Sequence, residues 1–110
     1  MIQGLNHIAL SVPDIKRAID FYCGVLGFKH VGDFSWDADS ETSDTVTEIT
    51  RIPGTSGDAV HLRGPDFLIE LFQFKTAEPA AKQQDLQRPV VDHGYTHFCL
   101  AVKGLDEEYQ

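Results

Sequence analysis

Hydrophobic and polar residues alternate along Leu5–Val12, which predicts a strand. Asn6, Ile8, Leu10 and Val12 fall on one face; Leu5, His7, Ala9 and Ser11 fall on the other. Apart from Asn6, the first face is bulky and aliphatic. The second is mostly small and carries a histidine, as suits a sheet with helices behind it and a cavity in front. Pro13-Asp14 opens a helix with Asp14 as N-cap, and Ile15, Ala18, Ile19, Tyr22 and Leu26 recur at helical spacing. Gly27 follows as a left-handed C-cap. Phe28–Trp36 reads as a second strand, Asp37–Asp44 as an acidic loop, and Val46–Ile52 as a short helical turn ended by Pro53-Gly54. Asp58–Arg63 and Phe67–Phe74 are strands joined by the turn Gly64-Pro65-Asp66. Lys75–Asp92 is a polar connection, too long for a hairpin, that links two units.

The second unit begins as the first does. His7-Ile8-Ala9-Leu10-Ser11-Val12 matches His97-Phe98-Cys99-Leu100-Ala101-Val102: His faces His, Leu faces Leu and Val faces Val. The match extends to Ile15 against Leu105, where Gly104-Leu105-Asp106-Glu107 would start a second helix. Such self-similarity marks duplicated units. The expected organisation is a first βαβββ module over residues 1–75, a linker over 76–94, and the start of a second module over 95–110. Only one strand and the start of a helix of that second module are expected, as in a truncated chain or one completed by another copy. An incomplete cup leaves open sheet edges, so a homodimer is expected.

Composition narrows the partners. The 110 residues carry 17 acidic and 9 basic side chains, a net charge of −8, which argues against nucleic acid and anionic membranes. No apolar run approaches the roughly 20 residues that span a bilayer. Two cysteines, Cys23 and Cys99, make no disulfide framework; with no signal-peptide pattern at the N-terminus they read as reduced thiols of a cytoplasmic protein.

Chemistry concentrates on three residues. Glu70 sits in Phe67-Leu68-Ile69-Glu70-Leu71-Phe72-Gln73-Phe74, with apolar neighbours on both faces as in a central strand. A lone carboxylate buried there costs roughly several kcal/mol unless a metal ion or a firm hydrogen-bond partner meets it. Imidazole and carboxylate suit divalent Zn, Ni, Co, Mn or Fe(II). One histidine on a strand is ordinarily a structural hydrogen-bonding residue; its repetition makes His7 and His97 candidate ligands beside Glu70. Glu70 as an edge-strand surface residue is the competing explanation. His61 shares a face with Ala59 and Arg63 and is expected to be partly exposed; His30 reads as surface. His93, in Asp92-His93-Gly94, is a turn residue and a secondary candidate for ligand contact. Cys99 shares the face of His97 but has Ala9 as counterpart, so it reads as a small cavity residue. Phe34, Trp36, Phe72 and Phe74 are core by default and are also candidates to line a cup that binds substrate.

These segments resemble the vicinal oxygen chelate superfamily, which includes glyoxalase I, methylmalonyl-CoA epimerase, extradiol dioxygenases, and fosfomycin- and bleomycin-resistance proteins. The resemblance rests on Leu5–Asp14, Ala18–Tyr22, Val25–Phe28, Leu68–Phe72 and Tyr95–Phe98, and is weakest over Asp37–Gly57. It implies an α+β fold in which paired βαβββ modules form a cup around a divalent ion. His7, Glu70 and His97 are the implied ligands. A fourth ligand, linked in glyoxalase I to the general base, would come from the last strand of the second module, for which the sequence holds no counterpart. A carboxylate at position 70 resembles the glyoxalase arrangement. It implies lyase or isomerase chemistry in which a metal, as Lewis acid, stabilises an enediolate-like oxyanion of a small molecule bound through neighbouring oxygens. The alternatives are a metal-free ligand-binding protein of the bleomycin-resistance kind and an Fe(II) extradiol dioxygenase.

Overall fold

The computed structural model describes residues 1–77 and 80–104. Its elements in chain order are strand β1 (His7–Ser11), helix α1 (Ile15–Ile19), a π-helical extension (Asp20–Val25), β2 (Lys29–Trp36), α2 (Glu41–Thr50), β3 (Ser56–Arg63) and β4 (Leu68–Thr76). The strands form one sheet in the order β1-β4-β3-β2. β1 runs parallel to β4, and β3 is antiparallel to both β4 and β2. This is the α+β, βαβββ arrangement expected.

Period-two alternation builds the two faces. Ile69, Leu71 and Leu62 are fully buried on the rear face, and Ile8, Leu10 and Val12 of β1 pack against them. Ile15, Ala18, Ile19 and Tyr22 bring the helical stripe onto the same cluster. Asp14 caps α1 as expected, its carboxylate accepting from Arg17 N at 3.0 Å. Gln73 Oε1 of β4 accepts from Ile15 N at 2.9 Å, so the sheet itself satisfies one orphan donor of the helix. The helix then widens: Leu26 N donates to Phe21 O and Phe28 N to Tyr22 O before Gly27, at φ 79°, turns the chain into β2. Burial raises the Tyr22 phenol above its ordinary value.

Two expectations change. Residues Glu41–Asp44, read as loop, are the first turn of α2, a ten-residue helix. Ser40 is its N-cap and accepts from Ser43 N, so the polar run opens a helix rather than bridging to one. The strand expected over Tyr95–Val102 makes no ladder. A strand needs a partner for its backbone groups, and this segment lies along no sheet edge; it is tied in through Leu100, which packs against the core. The helix expected from Leu105 lies outside the described residues. The radius of gyration, 16.0 Å, exceeds the ~13 Å of a compact chain of this length, consistent with the exposed run from residue 80 to 97.

Candidate functional site

The front face of the sheet, opposite the helix, holds a small polar patch. Register places it. In the parallel ladder Ala9 lies beside Glu70, and in the antiparallel ladder His61 lies beside Glu70 from the other side. β4 is therefore central, and its one carboxylate is flanked by β1 and β3. Ala9 is small, so His7, one pleat away, reaches across: His7 Nε2 stands 3.8 Å from Glu70 Oε2. His61 Nε2 donates to the same Oε2 at 3.1 Å. Gly32 stands beside His61 on β2, where an added Cβ would meet His61 Nδ1 at 3.8 Å, an ordinary contact. The Glu70 side chain keeps 27% of its surface open, and those of His7 and His61 keep 44% and 40%, so the patch is reachable from solvent. Glu70, expected to be buried with a partner, is partly open, with one hydrogen bond from His61 and the His7 ring 3.8 Å away.

His7 and Glu70 were expected together and are together. His97 is not among the ion-pair partners of Glu70 within 4 Å; its Nδ1 lies 3.0 Å from Thr96 Oγ1, on an exposed segment. His61 is the residue that the sequence reading left out of the site. His93 lies exposed in a bend, as a turn residue should. His30 donates to Asp33 at 2.6 Å on the surface. Cys23 and Cys99 are free thiols.

The aromatic candidates form a row beyond Glu70. Phe34 stacks on Trp36 with centroids 6.1 Å apart; Phe74 meets Trp36 edge-on at 5.4 Å and Phe72 at 5.6 Å. Phe34 is exposed, whereas Trp36 is 4% exposed and its indole N–H donates to the buried Thr55 hydroxyl at 3.0 Å. Trp36 therefore supports the row from below, while Phe34 is the ring that solvent reaches. Asp58, on the opposite face of β3 from this row, is held below the usual aspartate range by hydrogen bonds from Ser35 and Lys75. A cleft of about 280 Å³ opens elsewhere, between Leu26–Lys29 and the β3–β4 turn at Arg63–Pro65.

Neutral imidazole and carboxylate oxygen are good donors for a divalent cation. Two such ligands on one ion lie about 3.0–3.4 Å apart, given metal–ligand bonds of about 2.0–2.2 Å. The His7–Glu70 pair at 3.8 Å is within a small side-chain movement of that. Among the described residues no three His, Cys, Asp or Glu side chains are arranged to hold an ion. Among those residues His7 and Glu70 are the two donors of suitable chemistry that stand at this spacing on the front face.

The βαβββ module thus sets a β1 histidine beside a β4 glutamate across a small β1 residue. Residues 4–110 match the family model of the Glyoxalase/Bleomycin resistance protein/Dioxygenase superfamily, and the chain belongs to that superfamily. Among solved structures it is similar to a glyoxalase family protein from Bacillus cereus, at 21% identity with a TM-score of 0.75 over 99% of this chain and 69% of that one. It is also similar to the protein SMU.1112c, at 17% identity with a TM-score of 0.62 over 97% of this chain and 70% of that one. At these identities the likeness is one of fold. No helix among the described residues is long and apolar enough to cross a membrane.

Proposed function

We propose that this chain is a metal-dependent module of the glyoxalase I type, a lyase or isomerase for a small molecule that offers two neighbouring oxygens. The observation that carries the reading is the register that brings His7 of β1 and Glu70 of β4 together on the solvent-open face. His7 and Glu70 hold the cation, Zn, Ni, Co, Mn or Fe(II), and His97 is a further ligand supplied when its segment joins a completed cup. Pairing with a second copy is the route to that cup, because among the described residues the outer edge of β1 has no strand beside it. When bound, the ion supplies Lewis-acid stabilisation of the negative charge that develops on the substrate. Half-exposure of His7 and Glu70 leaves coordination positions that a substrate can reach.

Metal analysis and calorimetric titration of the full chain test this. The expected result is a stoichiometric divalent ion, with affinity lowered by roughly tenfold or more in His7→Ala and in Glu70→Gln. A chain that binds no divalent ion, and whose unfolding midpoint is unchanged by chelator, refutes it.

One observation favours a second reading, a metal-free binder of a planar aromatic ligand. Phe34 exposes its ring at the end of the Phe34–Trp36–Phe74–Phe72 row on the face that bears Glu70. Saturable quenching of Trp36, the one tryptophan, by an aromatic ligand in the presence of chelator is the result this reading requires.

A further inference from the structure

The two histidines beside Glu70 are tied in opposite senses. The side-chain oxygen of Asn6 can only accept, so its 2.6 Å contact with His7 Nδ1 puts a proton on that nitrogen. In the neutral ring Nε2 is then a bare lone pair, and it is the atom that faces Glu70. The carboxylate oxygen of Glu70 also only accepts, so the 3.1 Å contact with His61 Nε2 puts the proton on Nε2 of that ring. One imidazole offers Glu70 a lone pair and the other offers it a hydrogen.

We propose that Asn6 and His61 are positioning residues that divide the labour of the patch: Asn6 fixes His7 as a ligand, and His61 orients the Glu70 carboxylate by donating to it without ligating. The consequence for a divalent cation rests on the proposed metal reading; the tautomers rest on hydrogen-bond geometry alone. One further observation agrees. The residue before the histidine is repeated as a polar one, and Thr96 Oγ1 lies 3.0 Å from His97 Nδ1, the same ring atom that Asn6 holds in His7. A ligand imidazole whose other nitrogen donates to an oxygen is held in orientation and made more basic.

Long-range 1H–15N spectra of the metal-free full chain read the tautomers directly. They are recorded near pH 8.5, about two units above the ordinary imidazole value of roughly 6.5. The expected result is His7 protonated at Nδ1 and His61 protonated at Nε2, with Asn6→Leu moving His7 away from the Nδ1–H form. His7 protonated at Nε2, or His61 at Nδ1, overturns the proposal. Co(II) titration then tests the roles. Asn6→Leu and His61→Leu are each expected to weaken Co(II) binding by about 10–100-fold. Asn6→Asp, which keeps the acceptor, and His61→Gln, which keeps an N–H donor, are expected to recover most of the loss with the visible spectrum of bound Co(II) unchanged. If His61→Gln loses as much as His61→Leu and the spectrum changes, His61 is a ligand and the proposal falls. Failure of the wild-type chain to bind Co(II) strikes the metal reading instead, and the spectra of the metal-free protein still decide the tautomers.

Discussion

Gly57 and Gly32 stand on the same face of the sheet, yet only one of them has to be glycine. A Cβ added at Gly57 would lie 2.4 Å from the Gln73 carbonyl and 2.6 Å from the Trp36 ring. One of those neighbours is β4 backbone, and the other is a buried indole tied to Thr55. Neither has room to yield. In Gly57→Ala the overpacking costs roughly 1–3 kcal/mol. Displacing Trp36 from Thr55 leaves a buried hydroxyl and indole N–H without partners, a further ~1–3 kcal/mol. Alanine also restricts the unfolded chain, which offsets about 0.4–1 kcal/mol. The net loss is then about 3 kcal/mol, a large part of the ~5–15 kcal/mol that holds a domain together. At Gly32 the added Cβ meets nothing closer than 3.8 Å, an ordinary contact, so Gly32→Ala is expected to change stability by less than about 0.5 kcal/mol. Urea unfolding followed by Trp36 fluorescence reads both effects, and the native emission of Gly57→Ala should move as the indole leaves its pocket. Equal midpoints for wild type and Gly57→Ala, with native emission unchanged, would refute the packing argument.

Three other outcomes follow from local chemistry. Asp14→Ala removes the cap of α1 and should cost about 1 kcal/mol, lowering the thermal midpoint by roughly 4–8 °C. Asp58 has its folded value pushed below the ordinary 3.8, so its contribution is present above that pH and is lost as pH falls through the folded value. Asp58→Asn should therefore flatten the acid limb of stability below pH 3.8, by a small amount because the pair is solvent-screened; denaturant midpoints across that limb check it. Ile69→Ala, at a fully buried position on β4, should cost about 2–5 kcal/mol by calorimetry or denaturant unfolding.

Much of the fold was legible because the local signals agreed with one another. Asp14 and Gly27 mark the two ends of the first helical segment in sequence; in space Asp14 caps its start, and Gly27, in the left-handed region, follows the Leu26 cap at its end. The alternation of β1 sorts Ile8, Leu10 and Val12 to the core and His7 to the front. What escaped were features set by competition between neighbours. Ser40 reads equally as loop or cap, and only the helix that follows decides it. The repeat at His97–Val102 copies the letters of β1 without its partner strand, and a strand is a property of two segments, not of one.

His61 shows how narrow the margin can be. Its place in the site depends on the register of β3 against β4, which the turn between them sets. Had the strands closed on Arg63 and Phe67, as a three-residue Gly64-Pro65-Asp66 turn would give, Ile69 would stand opposite His61 and the imidazole would face an aliphatic. Closure falls instead on Arg63 and Leu68, with Gly64 N donating to Phe67 O at 2.9 Å, and Glu70 takes that position. The turn is pressed against the buried aromatic that follows the helix: a Cβ added at Gly64 would lie 2.7 Å from the Phe28 ring. An insertion or deletion of one residue in this turn would separate His61 from Glu70 while leaving His7 and Glu70 facing each other, because their ladder runs through β1.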